Sequence, residues 1–363
     1  LREIFNQSNN SIRELTIKDY SNSYYRGVIQ GLYGVPYNNF EIKDMIEFIS
    51  YYKGNTFFYG PRHDSYFRTA WRDLLPDDEL RMLKDLVEFS KERKVNYYFG
   101  VNPVETNQFE SENYDNDIKV FLAKFEQAYS VGVRNFFVSA DDVETETIDV
   151  DLQVRFMNEL AAWCKEKGDC GRILLTPSRY CGMDGQPVYD YLSTLSGLDE
   201  TIDLYWTGKY ITSALSTGDF ENFTKYTGRK AVFWLNWPVN DYAPTKLIMS
   251  KGEMLDITYD DDEAPFLGVI SNPQILPYPS LLAIYQCLDY SWNYKDFNLN
   301  NVYDSAFERI EENEPEALSK VCSYLANASQ YFSEVEYDYR DSYFEESPTL
   351  YKYPCSSFTL ANS

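Results

Sequence analysis

RNFFVSADDV, residues 134–143, carries a short apolar stretch into two adjacent carboxylates, Asp141 and Asp142. Phe136, Phe137 and Val138 are the aromatic and β-branched residues of a buried parallel strand. The acids fall just past its C-terminal end, the face on which barrels of alternating strands and helices mount their catalytic groups. Other acidic clusters read as structural. Asp77-Asp78 follows Pro76 and opens the helical pattern ELRMLKDLVEF, where negative side chains complement a helix N-terminus. Asp260-Asp261-Asp262 lies in an acidic loop with no apolar lead-in. Position after a strand is what sets Asp141 and Asp142 apart as a candidate pair for glycosidic acid-base chemistry.

Working outward, apolar runs alternate with amphipathic helical stretches on both sides. Tyr25 to Ile29 leads through the Gly-Pro turn GLYGVPY to the helical pattern FEIKDMIEFISYY, and Asn55 to Tyr59 leads to a helix from Asp77 to Glu92. Val95 to Val101 precedes a helix across Asp115 to Ser130, and the acid-bearing strand precedes one from about Asp151 to Lys167. Further strands are expected at Arg172 to Thr176, Ile202 to Thr207, Lys230 to Leu235 and Phe266 to Ser271, with an eighth helix from Ser280 to Trp292. Eight alternations over roughly 270 residues match an α/β protein of the (β/α)8 TIM barrel class. No GxGxxG turn or P-loop follows the first strand, which disfavours a doubly wound sheet. The expected organisation is a polar N-terminal connector (1–23), a catalytic barrel (24–295), and a C-terminal helical appendage with an acidic tail (296–363). Ala306 to Phe332 reads helical within the last part, which points to further domains of the same polypeptide.

Composition narrows the chemistry. A formal charge of −24, from 57 acidic and 33 basic residues, repels nucleic acid and anionic membrane surfaces. No apolar run approaches the roughly 18 residues that span a bilayer, so no membrane insertion is expected. The single histidine, His63, makes a Ser-His-Asp hydrolase or a His-rich zinc site hard to assemble and leaves carboxylates as the acid-base groups. Six cysteines without CxxC spacing read as buried free thiols. With 33 Tyr and 23 Phe the chain is rich in rings suited to stacking on sugars. It opens on Leu1 rather than Met, which reads as a trimmed or mature form.

If the barrel closes, residues after each strand converge on one site. The first strand offers Gln30, Gly31, Tyr33 and Gly34, and the second Arg62, His63 and Asp64; the fifth offers Arg179 and Tyr180, and the sixth Trp206, Gly208 and Lys209. The seventh contributes Trp234, Asn236, Trp237, Asn240, Asp241 and Tyr242, and the eighth Asn272. Amides and carboxylates that grip hydroxyls, set among indole and phenol rings, suit a neutral sugar.

Adjacency of the acids narrows the reaction. Most retaining glycosidases place two carboxyl groups about 5 Å apart across the scissile bond. Consecutive Cα atoms lie about 3.8 Å apart and start from one side of a pocket, so they straddle a sugar poorly. They suit a substrate-assisted route, in which a 2-acetamido oxygen attacks the anomeric carbon, one carboxylate orients the amide N–H and the other protonates the leaving oxygen. Close carboxyls also split their proton affinities. Two alternatives stay open: a two-carboxylate glycosidase with Asp241 or another later acid as nucleophile, and a catalytically weak barrel kept as a carbohydrate-binding module.

RGVIQGLYGVPY, NTFFYGPRHDSYFRTAWRD, FFVSADDVE, TPSRYCG, LYWTG, WLNWPVNDY and GVISNP occur in this order. Together they resemble the catalytic domain of glycoside hydrolase family 84, the O-GlcNAcases and bacterial β-N-acetylglucosaminidases often called hyaluronidases. The resemblance covers roughly residues 23 to 295 and implies a (β/α)8 fold and a retaining exo-β-N-acetylglucosaminidase working through an oxazoline. It implies Asp141 as the acid that assists the acetamide and Asp142 as the general acid/base. Gly31, Asn236, Asp241 and Asn272 match sugar-contacting positions, and Tyr180 and Trp234 the lining of the acetamide pocket. No metal or organic cofactor is implied. The implied partner is a glycan or glycoprotein with terminal GlcNAc, in a secreted or cell-surface bacterial setting. The chain departs from the family at Gln30, Arg62, His63, Arg179 and Leu235. Arg62, where lysine is usual, keeps a positive donor but changes its reach and planarity near a sugar hydroxyl, and Leu235 removes a carboxylate. A shifted affinity or preferred sugar is therefore expected.

Overall fold

Eight parallel strands close into a barrel in sequence order: β1 (Tyr25–Gln30), β2 (Thr56–Tyr59), β3 (Asn96–Val101), β4 (Asn135–Ser139), β5 (Ile173–Thr176), β6 (Ile202–Trp206), β7 (Ala231–Leu235) and β8 (Phe266–Ser271). The computed structural model describes residues 14–103, 113–142, 149–182, 186–244, 246–260, 263–311 and 313–328. Helices α1 (Asn39–Tyr51), α2 (Asp77–Glu92), α3 (Tyr114–Ser130), α4 (Val150–Lys167), α5 (Gln186–Thr194) and α6 (Thr217–Thr227) follow the first six strands in turn, and α7 (Leu281–Trp292) follows β8. This is the (β/α)8 barrel the alternation predicts. Among the described residues none of its helices is long and apolar enough to cross a membrane.

Local chemistry sets the helix ends. Asn38 and Glu41 form a reciprocal capping box at the start of α1, and Asp77, Asp78 and Glu79 fill the first turn of α2 against its dipole. Gly168 and Gly228 end α4 and α6 in the left-handed conformation.

Two expectations about the helices are corrected. Between β7 and β8 the described residues hold only a 3-10 turn, Glu253–Leu255, because the segment is broken by Pro, Gly and Asp and sustains no helical period. The helical stretch expected from Ala306 to Phe332 is two helices, α8 (Leu299–Ile310) and α9 (Pro315–Ala328). The Glu311 carboxylate accepts the Asn313 and Glu314 N–H groups, and Pro315 suits a first helical position, so the chain turns there. Residues 329–332 and the acidic tail lie outside the described residues, as do residues 1–13 of the connector.

The core has two layers. Strand-helix packing buries residues such as Ile46, Phe121, Phe156 and Leu235, while Ile29, Phe58, Phe137, Tyr205, Val232 and Trp234 fill the barrel interior. Gly100 on β3 makes room for the second layer, since a Cβ there would lie 2.4 Å from the Phe137 ring. Cys164, Cys170, Cys287 and Cys322 are free thiols, whereas Cys181 is disulfide-bonded, which corrects the reading of all six as free.

At the opposite end from the acids, Asp203 on β6 is buried. It receives Arg172 Nε and Nη2, both at 2.6 Å, and the Tyr25 hydroxyl at 2.6 Å. The fork ties β1, β5 and β6 together beneath the apolar layer. Arg172→Met should therefore lower the unfolding free energy by about 2–4 kcal/mol, because it strips the main counter-charge from a buried carboxylate. Denaturant titration checks this, and a change below about 0.5 kcal/mol would mean that the fork is dispensable.

Candidate active site

Strand β4 ends at Ser139, and its hydrogen-bonding continues one step further through Ala140 N–H to Thr176 O at 2.8 Å. Asp141 follows, buried, and then Asp142 with φ of 61°, a left-handed conformation that aspartate tolerates better than most side chains. The turn sends consecutive carboxylates to different partners.

Asp141 Oδ2 accepts from Arg62 Nη2, and Arg62 Nη1 donates to Ser139 Oγ at 3.1 Å. The two side chains are only 2% and 6% exposed. Arg62 comes from the turn after β2, where its own N–H bonds to Leu32 O at 3.0 Å, and its guanidinium lies 5.7 Å from the Phe67 ring and 5.8 Å from the Trp234 ring. Asp141 Oδ1 is buried and makes no hydrogen bond among the described residues, as expected of an acceptor reserved for a ligand. Burial raises the Asp141 pKa above the usual aspartate value; Arg62 opposes the rise and the nearby Asp142 adds to it.

Asp142 is half-buried and faces two phenols. Tyr33 Oη donates to its Oδ2 at 2.7 Å and Tyr180 Oη to its Oδ1 at 3.2 Å. Burial, and after it the Asp142 charge, pushes both tyrosines well above their ordinary pKa, so both remain protonated donors. The Tyr33 N–H also donates to Asp241 Oδ2 at 2.8 Å. Burial raises Asp241 to about 6, against hydrogen bonds from the Tyr33 and Tyr242 backbone.

A chain of amides forms the third side. Trp234 Nε1 and Asn272 Nδ2 both donate to Asn236 Oδ1, at 2.7 and 3.0 Å. Asn236 Nδ2 donates to Ile211 O at 2.7 Å, and Gly31 N–H donates to Asn272 Oδ1 at 3.1 Å. A Cβ on Gly31 would lie 2.5 Å from Trp234 Cζ2, so only glycine lets β1 approach the indole this closely.

The candidate catalytic and sugar-contacting residues Gly31, Arg62, Asp141, Asp142, Tyr180, Trp234, Asn236, Asp241 and Asn272 line one pocket at the C-terminal mouth of the barrel, together with Tyr33 and Tyr242 from the strand-end residues expected to converge there. Thr176, Thr207, Ile211, Thr212 and Val239 complete it. Thr176 and Thr207 close strand-like runs, so strand ends flag them, whereas Ile211, Thr212 and Val239 carry no such signal. Gln30, Gly34, His63, Asp64, Arg179, Trp206, Gly208, Lys209, Trp237 and Asn240, also expected to converge, do not line it, and neither does Leu235. Leu235 lies in the strand-helix layer, so the carboxylate missing there is not missing from this pocket. Among the described residues no group of three or more His, Cys, Asp or Glu is placed to hold a metal ion.

Residues 26–323 match the profile of the NAGidase family, described as beta-N-acetylglucosaminidase. The chain belongs to this family, glycoside hydrolase family 84. Rat and mouse Protein O-GlcNAcase are each 26% identical to it over 293 residues, which cover 76% of this chain and 30% of theirs. It thus spans less than a third of the length of those relatives. Among solved structures, CpGH84D is 36% identical with a TM-score of 0.80, over 87% of this chain and 53% of its own. CpGH84B is 30% identical with a TM-score of 0.75, over 83% of this chain and 54% of its own. A Thermobaculum terrenum O-GlcNAc hydrolase mutant, 24% identical with a TM-score of 0.71 over 90% of this chain and 74% of its own, shares the fold.

Within this family 84 pocket the Arg62–Asp141 pair yields a test of its own. Arg62→Met leaves a buried carboxylate without its cation and should destabilise the fold by about 3 kcal/mol at pH 7. An aspartate whose folded pKa is raised further above its unfolded value loses stability as pH climbs through that interval. The deficit should therefore shrink as pH falls toward the ordinary aspartate range, and a deficit equal at pH 4 and pH 7 would show that it arises from packing instead.

Proposed function

We propose that this family 84 chain is a retaining exo-β-N-acetylglucosaminidase that removes terminal β-linked GlcNAc from glycans or glycoproteins by substrate-assisted catalysis. The observation that carries the reading is the unequal setting of two neighbouring acids. Asp141 is buried against Arg62 with one open oxygen, and Asp142 is half-exposed beneath two tyrosine hydroxyls.

In this mechanism Arg62 keeps Asp141 ionised despite its burial. Asp141 Oδ1 accepts the N–H of the sugar's 2-acetamido group and turns the amide oxygen toward the anomeric carbon. That oxygen attacks, the glycosidic C–O bond breaks, and Asp142 gives its proton to the departing oxygen. Asp141 takes the amide proton as the oxazoline closes and returns it when water, whose proton Asp142 takes back, opens the ring, and two inversions at carbon retain the configuration. Tyr180 and Trp234 wall the acetamide, while Asp241, Asn236, Asn272 and the Gly31 backbone grip the ring hydroxyls. Placing the acids side by side frees the opposite side of the pocket from supplying a nucleophile.

Hydrolysis of an aryl β-N-acetylglucosaminide, compared with the corresponding β-glucoside, tests the reading. Turnover should be confined to the acetamido sugar and fall by at least about 100-fold in Asp141→Asn and in Asp142→Asn. Equal turnover of the glucoside would favour a two-carboxylate route, with Asp241 as the nucleophile to examine. Binding of the sugar without turnover would make the barrel a binding module.

The acidity of Asp241 gives a second expectation. Its carboxylate is present above about pH 6 and is lost as pH falls through that value, removing an acceptor for Tyr33 N–H and a sugar hydroxyl. KM for the aryl glycoside should rise below about pH 6, and that rise should vanish in Asp241→Asn. A pH-independent KM in the wild type would remove Asp241 from the binding site.

A further inference from the structure

Arg68 stands outside the pocket lining and reaches it through Tyr33. It follows the turn after β2, where its N–H bonds to Asp64 O at 3.1 Å, and it is buried. Its Nη1 donates to Tyr33 Oη at 3.0 Å, and its guanidinium carbon lies 5.2 Å from the centre of the same ring. Tyr33 Oη in turn donates to Asp142 Oδ2 at 2.7 Å.

A phenol has one hydrogen to give. With a cation donating to its oxygen, Tyr33 is a poor acceptor toward Asp142, and its hydrogen points to the carboxylate. Both carboxyl oxygens accept from a phenol, but the shorter bond falls on Oδ2 at 2.7 Å and the longer one on Oδ1 at 3.2 Å, which favours Oδ1 as the oxygen that carries an acidic proton. We propose that Arg68 is a positioning residue that fixes the Tyr33 hydroxyl as a donor to Asp142 and so decides which carboxyl oxygen carries the proton delivered to the leaving group. The proposal rests on Asp142 being the general acid.

Other groups face Asp142 as well. Asp141 and Asp241 oppose its charge, Arg62 favours it, and Tyr33 and Tyr180 donate to it. Arg68 differs in acting through Tyr33: its charge favours the tyrosinate, against the burial and the Asp142 charge that disfavour it, and so strengthens the phenol as a donor. Tyr33 also holds Asp241 through its backbone N–H, so the same ring links the acid to the binding side of the pocket.

Dependence on the leaving group separates this role from a merely structural one. An alkyl β-N-acetylglucosaminide needs its leaving oxygen protonated, and a 2,4-dinitrophenyl glycoside does not. Arg68→Met should lower kcat/KM about tenfold or more for the alkyl glycoside and less than about twofold for the dinitrophenyl one. Arg68→Lys should restore most of the loss. Tyr33→Phe should show the same selectivity, and adding Arg68→Met to it should change nothing further. Equal losses on both substrates, or an Arg68→Met effect that persists without the Tyr33 hydroxyl, would overturn the proposal. A readout independent of turnover is 13C NMR of protein labelled at the aspartate carboxyl carbon, with the Asp142 signal assigned by Asp142→Asn. The titration midpoint of that signal should move upward in both Arg68→Met and Tyr33→Phe. An unmoved midpoint overturns the Arg68 role even in a protein that hydrolyses nothing, whereas a moved midpoint without turnover supports the Arg68–Tyr33–Asp142 coupling but refutes the glycosidase reading and with it the delivery of a proton to a leaving group.

Discussion

The buried ion pair between Arg62 and Asp141 is the constraint on which the pocket depends. A carboxylate taken out of water costs several kcal/mol unless an opposite charge and hydrogen bonds replace its hydration. Here one cation comes from the turn after β2, while the acid and the serine that also binds the cation come from β4, two strands away. Neither charge is tolerable without the other, so the barrel must close with these strand ends at one height. The guanidinium lies near the rings of Phe67 and Trp234, so the pair is walled by apolar surface. Low polarity there strengthens whatever the open Asp141 oxygen binds.

Two acids one bond apart would be redundant in a uniform environment. The fold separates them by giving one a cation and the other hydroxyls. Asp142 in the left-handed conformation is the hinge of that division, because an extended continuation of β4 would send alternate side chains to opposite faces of the sheet. Environment thus gives identical side chains different partners, a buried cation for Asp141 and two phenols for Asp142.

Much of this was legible in the sequence because it depends on period and position. Phe266 to Ser271 is a continuous apolar run bounded by Pro and Asn, and strand β8 has those same bounds. Asp141, Trp234 and Asn272 follow from a single rule, that residues at strand ends converge once a barrel closes. What the sequence did not reveal depends on contacts between distant residues. Nothing in the local pattern around Arg68 distinguishes it from a surface arginine, and its meeting with Tyr33 exists only after β1 and β2 pair. The same holds for Leu235, which counts as a lost carboxylate in the sequence and as a buried core residue in the fold. The lack of a helix among the described residues between β7 and β8, and the break between α8 and α9, were harder for another reason. Short polar connections carry weak periodicity, and turn chemistry decides them.

The inventory of open hydrogen-bonding groups argues for a neutral, hydroxyl-rich ligand from a direction independent of the acids. Asn236 spends its carbonyl on two donors and one N–H on Ile211 O; Asn272 spends its carbonyl on Gly31 and one N–H on Asn236. Each amide keeps a single N–H for the pocket. The open acceptors among the described residues include Asp141 Oδ1 and the Thr212 hydroxyl, so the site can take several hydrogens donated by its ligand. An anionic ligand would bring acceptors to Asp141, Asp142 and Asp241 and be repelled. A sugar bearing an amide N–H and free hydroxyls supplies what the protein lacks, and because the amides are already locked to one another, little side-chain entropy is lost when it binds.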